Sequence, residues 1–185
     1  GLDFDNVSLV GVLYADGLMS YPDFRAFERS YQMLAQVSGR SGRKNKQGLV
    51  VIQSNNPKHP LLQWVVDDNY VEMYNQQIRD RFTFKYPPYY RLLEVSLRHK
   101  EYEILNKAAN VLAGMLKPFF GKFLLGPEYP MVSRVRNQYI KNIILKTSKG
   151  KDAAQLKFET ARQIEKFHEL PDFKGVRVQL DVDPM

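Results

Sequence analysis

The chain has 185 residues, 44% of them hydrophobic and 12% aromatic, and this apolar content excludes a chain that stays disordered for want of a core. It has no cysteine and no apolar run near the roughly 20 residues that cross a bilayer, which excludes disulfides, the common structural zinc sites and a membrane span, so we expect a soluble, cytoplasmic protein. The formal net charge of +7 favours acidic partners such as nucleic acid.

The first part of the chain alternates strand and helix patterns. Residues 7–15 are a nearly unbroken β-branched and aliphatic run, typical of a strand buried in a parallel sheet. Ser20 and the residues up to Asp23 have the capping signals of a helix start, and an amphipathic stripe follows them. Residues 48–54 predict a second apolar strand, so this part indicates an α/β unit of the doubly wound kind.

A boundary is predicted near the middle of the chain. Residues 60–84 have a polar helical pattern, and the sequence Tyr86-Pro87-Pro88-Tyr89 then ends it. Proline cannot continue a helix, because it lacks the amide hydrogen and restricts the residue before it. We therefore divide the chain into residues 1–86 and residues 87–185.

The second part predicts a small α+β domain with the order βαββαβ. Its second and third strands are expected to join through Asn137 and Gln138 in a hairpin turn. Such an order suggests an open sheet with two helices on one face. The predicted elements are residues 91–98, 102–120, 132–136, 139–147, 152–168 and 176–182.

Two stretches contain Lys and Arg but no acidic residue, residues 29–66 and residues 129–151. Clustered bases suit a nucleic acid, because each neutralised phosphate releases condensed counterions. The alternative is a solvated basic face without a function. The candidate phosphate or base-stacking contacts in the second stretch are Arg134, Arg136, Tyr139, Lys141 and Lys146.

The run Gln36-Val37-Ser38-Gly39-Arg40-Ser41-Gly42-Arg43 is the most specific motif. Two arginines three residues apart after a helix can direct both guanidinium groups at a triphosphate, where they stabilise the charge of the leaving phosphoryl group. The glycines allow a sharp turn and a close approach. The alternative interpretation is a basic loop rich in glycine and serine.

This run matches the sixth motif of superfamily 2 helicases, Q-x-x-G-R-x-G-R, and the chain resembles the C-terminal part of their second RecA-like lobe. The resemblance implies that Arg43 is the arginine finger, that Arg40 is its partner on the γ-phosphate, and that Gln36 links the nucleotide to the lobe interface. These three residues are the candidate catalytic set.

The residues Gly1-Leu2-Asp3 match the end of the fifth helicase motif. The resemblance implies that Gly1 and Asp3 couple the ATP state to the bound DNA strand, and that Gly39 and Gly42 belong to the same nucleotide-binding and coupling set.

Further short matches, spread over essentially the whole chain, narrow the resemblance to the primosomal replication-restart helicases of bacteria. This family implies a 3′→5′ DNA helicase that uses ATP and Mg, recognises stalled forks and assembles the primosome. It implies that the domain from residue 87 onward contacts branched DNA and single-strand-binding protein. The matching segments are residues 1–7, Asp16-Gly17, residues 23–29, residues 48–53, His59-Pro60-Leu61, Pro87-Pro88, Gly126-Pro127 and residues 180–184.

Several family features do not occur in these residues. The phosphate-binding loop, the Mg-binding acidic motif and the paired zinc sites are absent, so we expect a fragment of a longer protein, without ATPase activity of its own. Where the family has a basic residue and then Trp, this chain has Ile140 and Lys141. Its three histidines, His59, His99 and His168, lie far apart, so we expect surface or capping roles and no metal site.

Other candidates have simpler interpretations. Asp181 and Asp183 share one side of a strand but lack a second acidic cluster or a histidine, so we interpret them as structural or terminal. We interpret Trp64 as a packing residue rather than a platform for a base. Tyr89 and Tyr90 are interpreted as part of a hinge, with stacking on DNA as the alternative.

Two other functional classes stay open. One is a stand-alone nucleic-acid-binding module, and the other is another superfamily 2 motor such as a branch-migration helicase. An unpaired sheet edge in the first part would also allow the chain to form a homodimer.

Overall fold

The computed structural model describes residues 7–39, 48–148 and 150–184. Its contacts divide the chain into two compact units, Gly1–Thr83 and Phe84–Met185. The division lies three residues before Pro87, where the sequence predicts the boundary. Residues 84–185 contain 18 Lys and Arg against 11 Asp and Glu, so the second unit carries the whole net charge of +7.

The first unit is built on a short parallel sheet. β1 pairs with β2 from Leu9 opposite Leu49 to Val12 opposite Ile52. This strand, helix, strand arrangement is α/β, whereas the RecA-like lobe remains a prediction. The elements are β1 (Leu9–Val12), α1 (Asp16–Met19), α2 (Ala26–Ser38), β2 (Leu49–Ile52), α3 (Pro60–Val66) and α4 (Tyr70–Thr83).

Two predictions for the helices of this unit are wrong. The long helix does not start at Ser20, whose hydroxyl instead donates to the Asp16 carbonyl and closes α1. α2 begins at Ala26, after a turn in which the Asp23 carboxylate accepts from the Arg25 amide. The single helix predicted over residues 60–84 is two helices, because the turn before α4 ends in Asn69, whose side chain accepts from the Glu72 amide.

Only one face of the β1–β2 sheet is covered by the residues that the structure describes. Val12 and Ile52 pack against the core around Tyr31, Leu34 and Leu61, whereas the opposite face leaves large apolar side chains exposed. Trp64 also packs on this core, as predicted. Homodimerisation through this sheet stays a prediction. The exposed side chains are Leu9, Leu49 and Val51.

The second unit is an antiparallel sheet in the order β4-β6-β3-β7, with β5 paired to β6. Its four longer strands and two helices keep the predicted order βαββαβ. The elements are β3 (Tyr90–His99), α5 (Tyr102–Phe120), β4 (Leu124–Glu128), β5 (Arg134–Val135), β6 (Gln138–Ser148), α6 (Lys151–Glu169) and β7 (Arg177–Val182).

Both helices of this unit pack against the same face of the sheet. Leu93, Val95 and Leu97 of β3 alternate along the strand and point to that face, where they meet Ile143 and Leu145 of β6. α5 packs on them through a stripe at helical spacing that includes three alanines, which allow a close approach. The stripe consists of Leu105, Ala108, Ala109, Leu112, Ala113, Leu116 and Phe120.

The second long strand was predicted in the wrong place. It is β4, not residues 132–136, of which only Arg134 and Val135 pair, as β5. β4 pairs with β6 alone, and an edge strand tolerates Pro127, which lacks an amide donor. Gly126 has φ of +91°, and a Cβ there would lie 2.8 Å from the Asn142 carbonyl oxygen, so this position requires glycine.

Two histidines and one aspartate accept hydrogen bonds from backbone amides. His59 Nδ1 accepts from the Leu61 amide at the start of α3, so a capping role, one of the two predicted for the histidines, is confirmed for His59. His99 Nδ1 accepts from the Glu101 amide in the turn before α5. The Asp183 carboxylate accepts from the Leu92 amide and forms an ion pair with Arg91. Asp183 therefore joins the end of β7 to the start of β3.

We predict that Asp183→Ala lowers the free energy of unfolding by about 1–3 kcal/mol in urea titrations, because the Leu92 amide loses its acceptor. Burial raises the pKa of Asp183, but the hydrogen bonds from Leu92 and Arg91 outweigh it and hold the pKa below its ordinary 3.8. The carboxylate therefore stabilises the fold above that pH, and the deficit of the variant should shrink as the pH falls further.

The matched control is Asp181→Ala, two residues earlier on the same strand. Asp181 is exposed, and its one marked electrostatic effect is to raise the pKa of Glu94. Equal losses of stability in the two variants would contradict the role given to Asp183.

Candidate nucleic-acid interface

The hairpin between β5 and β6 carries three of the predicted DNA contacts, Arg134, Arg136 and Tyr139, and Lys141 follows on β6. Its turn residues Arg136 and Asn137 have φ of 48° and 60°, the left-handed conformation of two-residue hairpin turns. The predicted turn at Asn137 and Gln138 is wrong by one residue, because Gln138 already pairs with Val135. Arg134 and Arg136 are both exposed on this hairpin.

Three tyrosines form a cluster beside the hairpin. The Tyr102 ring, 47% exposed, stacks on Tyr129 with the ring centroids 5.7 Å apart and the planes 5° apart. Tyr139 meets Tyr102 edge-on, with the centroids at 5.6 Å and the planes at 78°. The Arg134 guanidinium carbon lies 4.9 Å from the Tyr139 centroid. A cation and an exposed aromatic surface thus lie together.

Asn106 of α5 ties this cluster to β6. Its Oδ1 accepts from the Tyr129 hydroxyl at 2.8 Å and from Lys141 Nζ at 2.7 Å. Lys141 Nζ also lies 4.8 Å from the Tyr129 centroid. The half-buried Lys141 is therefore held in one place, and its ammonium has further protons to donate.

Lys146 is not part of this group. It lies seven residues from Tyr139 along β6, roughly 24 Å at the usual rise of a strand. Its Nζ donates to the Phe84 carbonyl at 2.7 Å and lies 3.6 Å from the Tyr86 ring centroid. Burial lowers the pKa of Lys146, and nearby Lys85 lowers it further. We leave Lys146 out of the candidate interface.

Sequence reasoning missed three members of the cluster, namely Tyr102, Asn106 and Tyr129. They lie on α5 and just after β4, up to 37 residues before Tyr139, and only the fold brings them together. The one local signal is the aromatic residue at the start of a helix that follows a strand.

The structure describes the first four residues of the helicase-like run, which include the predicted site residues Gln36 and Gly39. Gln36 is exposed in the last turn of α2, and Gly39 caps the helix through its amide to the Ala35 carbonyl. Gly39 has φ of −69°, and a Cβ there would lie 3.6 Å from Ala35 O, so the backbone does not require glycine at this position. Gly1, Asp3, Arg40, Gly42 and Arg43 lie outside the described residues.

The first unit also has an open pocket of about 230 Å³ between α1 and α2. Its lining is mainly apolar, and its one charged residue, Arg29, forms an ion pair with Asp23 at 2.9 Å. The pocket therefore lacks a pair of groups for acid–base chemistry.

Neither a metal site nor a membrane span is found in residues 7–39, 48–148 and 150–184. These ranges contain no group of three His, Cys, Asp or Glu side chains placed to hold a metal ion. Their helices are too short or too polar to cross a bilayer.

Comparison with known proteins identifies relatives of both units. Residues 83–185 match the family described as Primosomal protein N C-terminal domain. Over the whole of its 185 residues, the chain is 36% identical to the Replication restart protein PriA of Bacillus subtilis and 33% identical to that of Treponema pallidum. The match to the Synechocystis protein is 36% identical over 79% of the chain. The chain spans 23%, 28% and 18% of the length of these relatives, respectively.

We predict that Tyr129 ionises at higher pH than Tyr102 in an NMR titration of isotope-labelled tyrosine, because hydrogen bonds lower the pKa of Tyr102. Burial, and next the hydrogen bond with Tyr102, raises the pKa of Tyr129 from 10.0 to about 12. A raised folded pKa means that the protonated hydroxyl stabilises the fold below pH 10.0, and that this contribution is lost as the pH rises through about 12. Tyr129→Phe should remove both the late titration and this alkaline loss of stability; their persistence in the variant would contradict the cluster.

Proposed function

The chain belongs to the Primosomal protein N C-terminal domain family, and on that premise we propose that it acts in bacterial replication restart as the DNA-contacting region of a helicase. The second unit would bind branched DNA, and the first would supply part of the motor. The curated relatives bear the name replication restart protein.

The observation that carries this proposal is the cluster at one end of the second sheet. Arg134 and Lys141 lie over the rings of Tyr139 and Tyr129, which both contact the exposed ring of Tyr102. Arg136 adds a third positive charge in the hairpin turn. Cations bind phosphates in any sequence, and aromatic rings stack on unpaired bases. Both kinds of contact are useful at a fork, where duplex and single strands meet.

The motor role rests on the run that ends at Arg43. We propose that Arg43 is the arginine finger, with Arg40 beside it on the γ-phosphate and Gln36 as the polar link to the lobe interface. Gly39 and Gly42 would allow the nucleotide to approach, and Gly1 and Asp3 would couple its state to DNA. ATP with Mg supplies the phosphoryl group whose transfer drives the motor.

Other parts of the proposal follow from the family resemblance. Single-strand-binding protein and primosome proteins would be the protein partners, and the bacterial cytoplasm would be the compartment. Zinc, together with the phosphate-binding loop and the Mg-binding motif, would belong to residues other than these 185.

A stand-alone nucleic-acid-binding module is the alternative, and one observation favours it. The second unit has its own core, built from α5, α6 and the sheet, and it holds all of the net positive charge. The helicase hypothesis requires that ATP turnover depends on Arg43, whereas the stand-alone binding module does not.

We predict that Arg43→Ala, in a protein that carries this chain together with its phosphate-binding loop, lowers kcat for DNA-stimulated ATP hydrolysis by about 10³–10⁵. DNA binding should persist, since the cationic cluster is formed by Arg134, Arg136 and Lys141 of the second unit. ATPase activity like that of the unsubstituted protein would contradict the finger role.

For the DNA interface, we predict that replacing Arg134, Arg136 and Lys141 with Gln weakens binding of the 185-residue chain to a forked DNA in fluorescence anisotropy. The slope of log affinity against log salt should fall by up to about 0.9 for each lost phosphate contact. Tyr102→Ala should weaken binding to forks with single-stranded arms but leave the salt slope unchanged, because stacking releases no counterions.

The control removes a positive charge elsewhere on the second unit. Arg162→Gln acts on an exposed α6 residue that forms an ion pair with Glu159, far along the chain from the hairpin. If this variant weakens binding as much as a single hairpin substitution, the effect is one of net charge and the interface assignment fails.

A further inference from the structure

Arg98 and Arg177 form a cross-strand pair on the face of the sheet that lies away from α5 and α6. They are directly opposite each other in the β3–β7 ladder. Their neighbours Leu97 and Val178 pack into the core with the helices, and side chains alternate along a strand, so the two arginines point to the other face. The hairpin contacts Arg134, Tyr139 and Lys141 lie on the helix side.

Neither arginine of this pair has an anionic partner in the part of the chain that the structure describes. Arg91 and Arg162 form ion pairs with Asp183 and Glu159, but Arg98 and Arg177 take part in none. The Arg98 Nε is shut off from solvent and has no acceptor. Like charges directly opposite each other, one of them with an unsatisfied buried donor, are unfavourable without an added anion.

We propose that the Arg98–Arg177 pair is a phosphate-binding subsite for the DNA backbone, separate from the hairpin cluster. The planar guanidinium groups bind two oxygens of one phosphate in parallel, and two such groups side by side neutralise it. This inference rests on the proposed function, because it assigns the phosphate to DNA.

The rest of the same face limits where the DNA strand can run. Glu94, which lies four residues before Arg98 on β3 and roughly 13 Å away, is directly opposite Asp181. Burial raises the pKa of Glu94, and Asp181 raises it further. Two acids here repel phosphates, so a strand held by the arginines leaves toward the end of the sheet where β3 ends at His99, opposite Tyr139.

The neighbourhood favours a nucleic acid over an acidic peptide. Lys100 follows Arg98 by two residues, and Lys174 precedes β7 by three residues, so further bases lie at the end of the sheet toward which the strand runs. Repeated phosphates can use such a series of separated bases, whereas one carboxylate cannot.

The test measures forked-DNA affinity of the 185-residue chain over a range of salt concentrations for Arg98→Gln, Arg177→Gln and the double variant. Each single variant should lose roughly tenfold in affinity. Because both side chains hold one phosphate, the double variant should lower the salt slope by about 0.9 and not by twice that amount. Arg162→Gln is the charge-matched control and should stay close to the unsubstituted chain.

Three outcomes would overturn the subsite. The first is unchanged affinity and slope in both single variants while the hairpin variants lose binding, which leaves the proposed function intact. The second is unchanged DNA binding with loss of pyrophosphate binding in calorimetry, which assigns the pair to a free phosphate compound. The third is unchanged DNA binding with loss of binding to an aspartate-rich peptide, which assigns it to a protein partner. A chain that binds no forked DNA at all contradicts the proposed function itself.

Discussion

In the second unit, β3 and β6 pair antiparallel over ten residues, from Tyr90 opposite Ser148 to His99 opposite Tyr139. This ladder places the start of β6 at the end of β3, and so brings the hairpin to the start of α5. It also determines the face on which each side chain lies, since a slip of one residue would exchange the two faces. Lys141 then meets Asn106 of α5, whereas Lys146 lies on the other face, far from the hairpin.

Much of the secondary structure could be predicted from the sequence, because long periodic segments carry strong signals. The helix over residues 102–120 was predicted with the bounds that α5 has, since its apolar stripe is regular and its polar residues alternate with it. β4 was missed because Gly126 and Pro127 interrupt a five-residue strand, and only pairing with β6 extends it. Ser20 resembled a helix cap, but its nearest acceptor is the carbonyl of Asp16, four residues before it.

The candidate site was only partly predictable, for reasons of distance along the chain. A gap in acidic residues indicated Arg134, Arg136 and Lys141, because charge composition is visible in sequence. Burial is not visible in the sequence. The same gap in acidic residues therefore also indicates Lys146, although its ammonium donates to a backbone carbonyl. Tyr102 and Asn106 belong to the site through tertiary contacts alone, as does the Arg98–Arg177 pair, whose members are 79 residues apart.

The contact of Lys146 with the first residues of the second unit has a mechanical consequence. Its ammonium donates to the Phe84 carbonyl and lies over the Tyr86 ring. The segment before β3 is therefore bound to β6 and is also continuous with β3. A tension applied to the chain before Phe84 is therefore shared between the two central strands of the sheet. Strands loaded together through many parallel hydrogen bonds resist separation better than a single strand peeled from one end. The second unit therefore meets a pull on the chain before Phe84 at two strands and not at one.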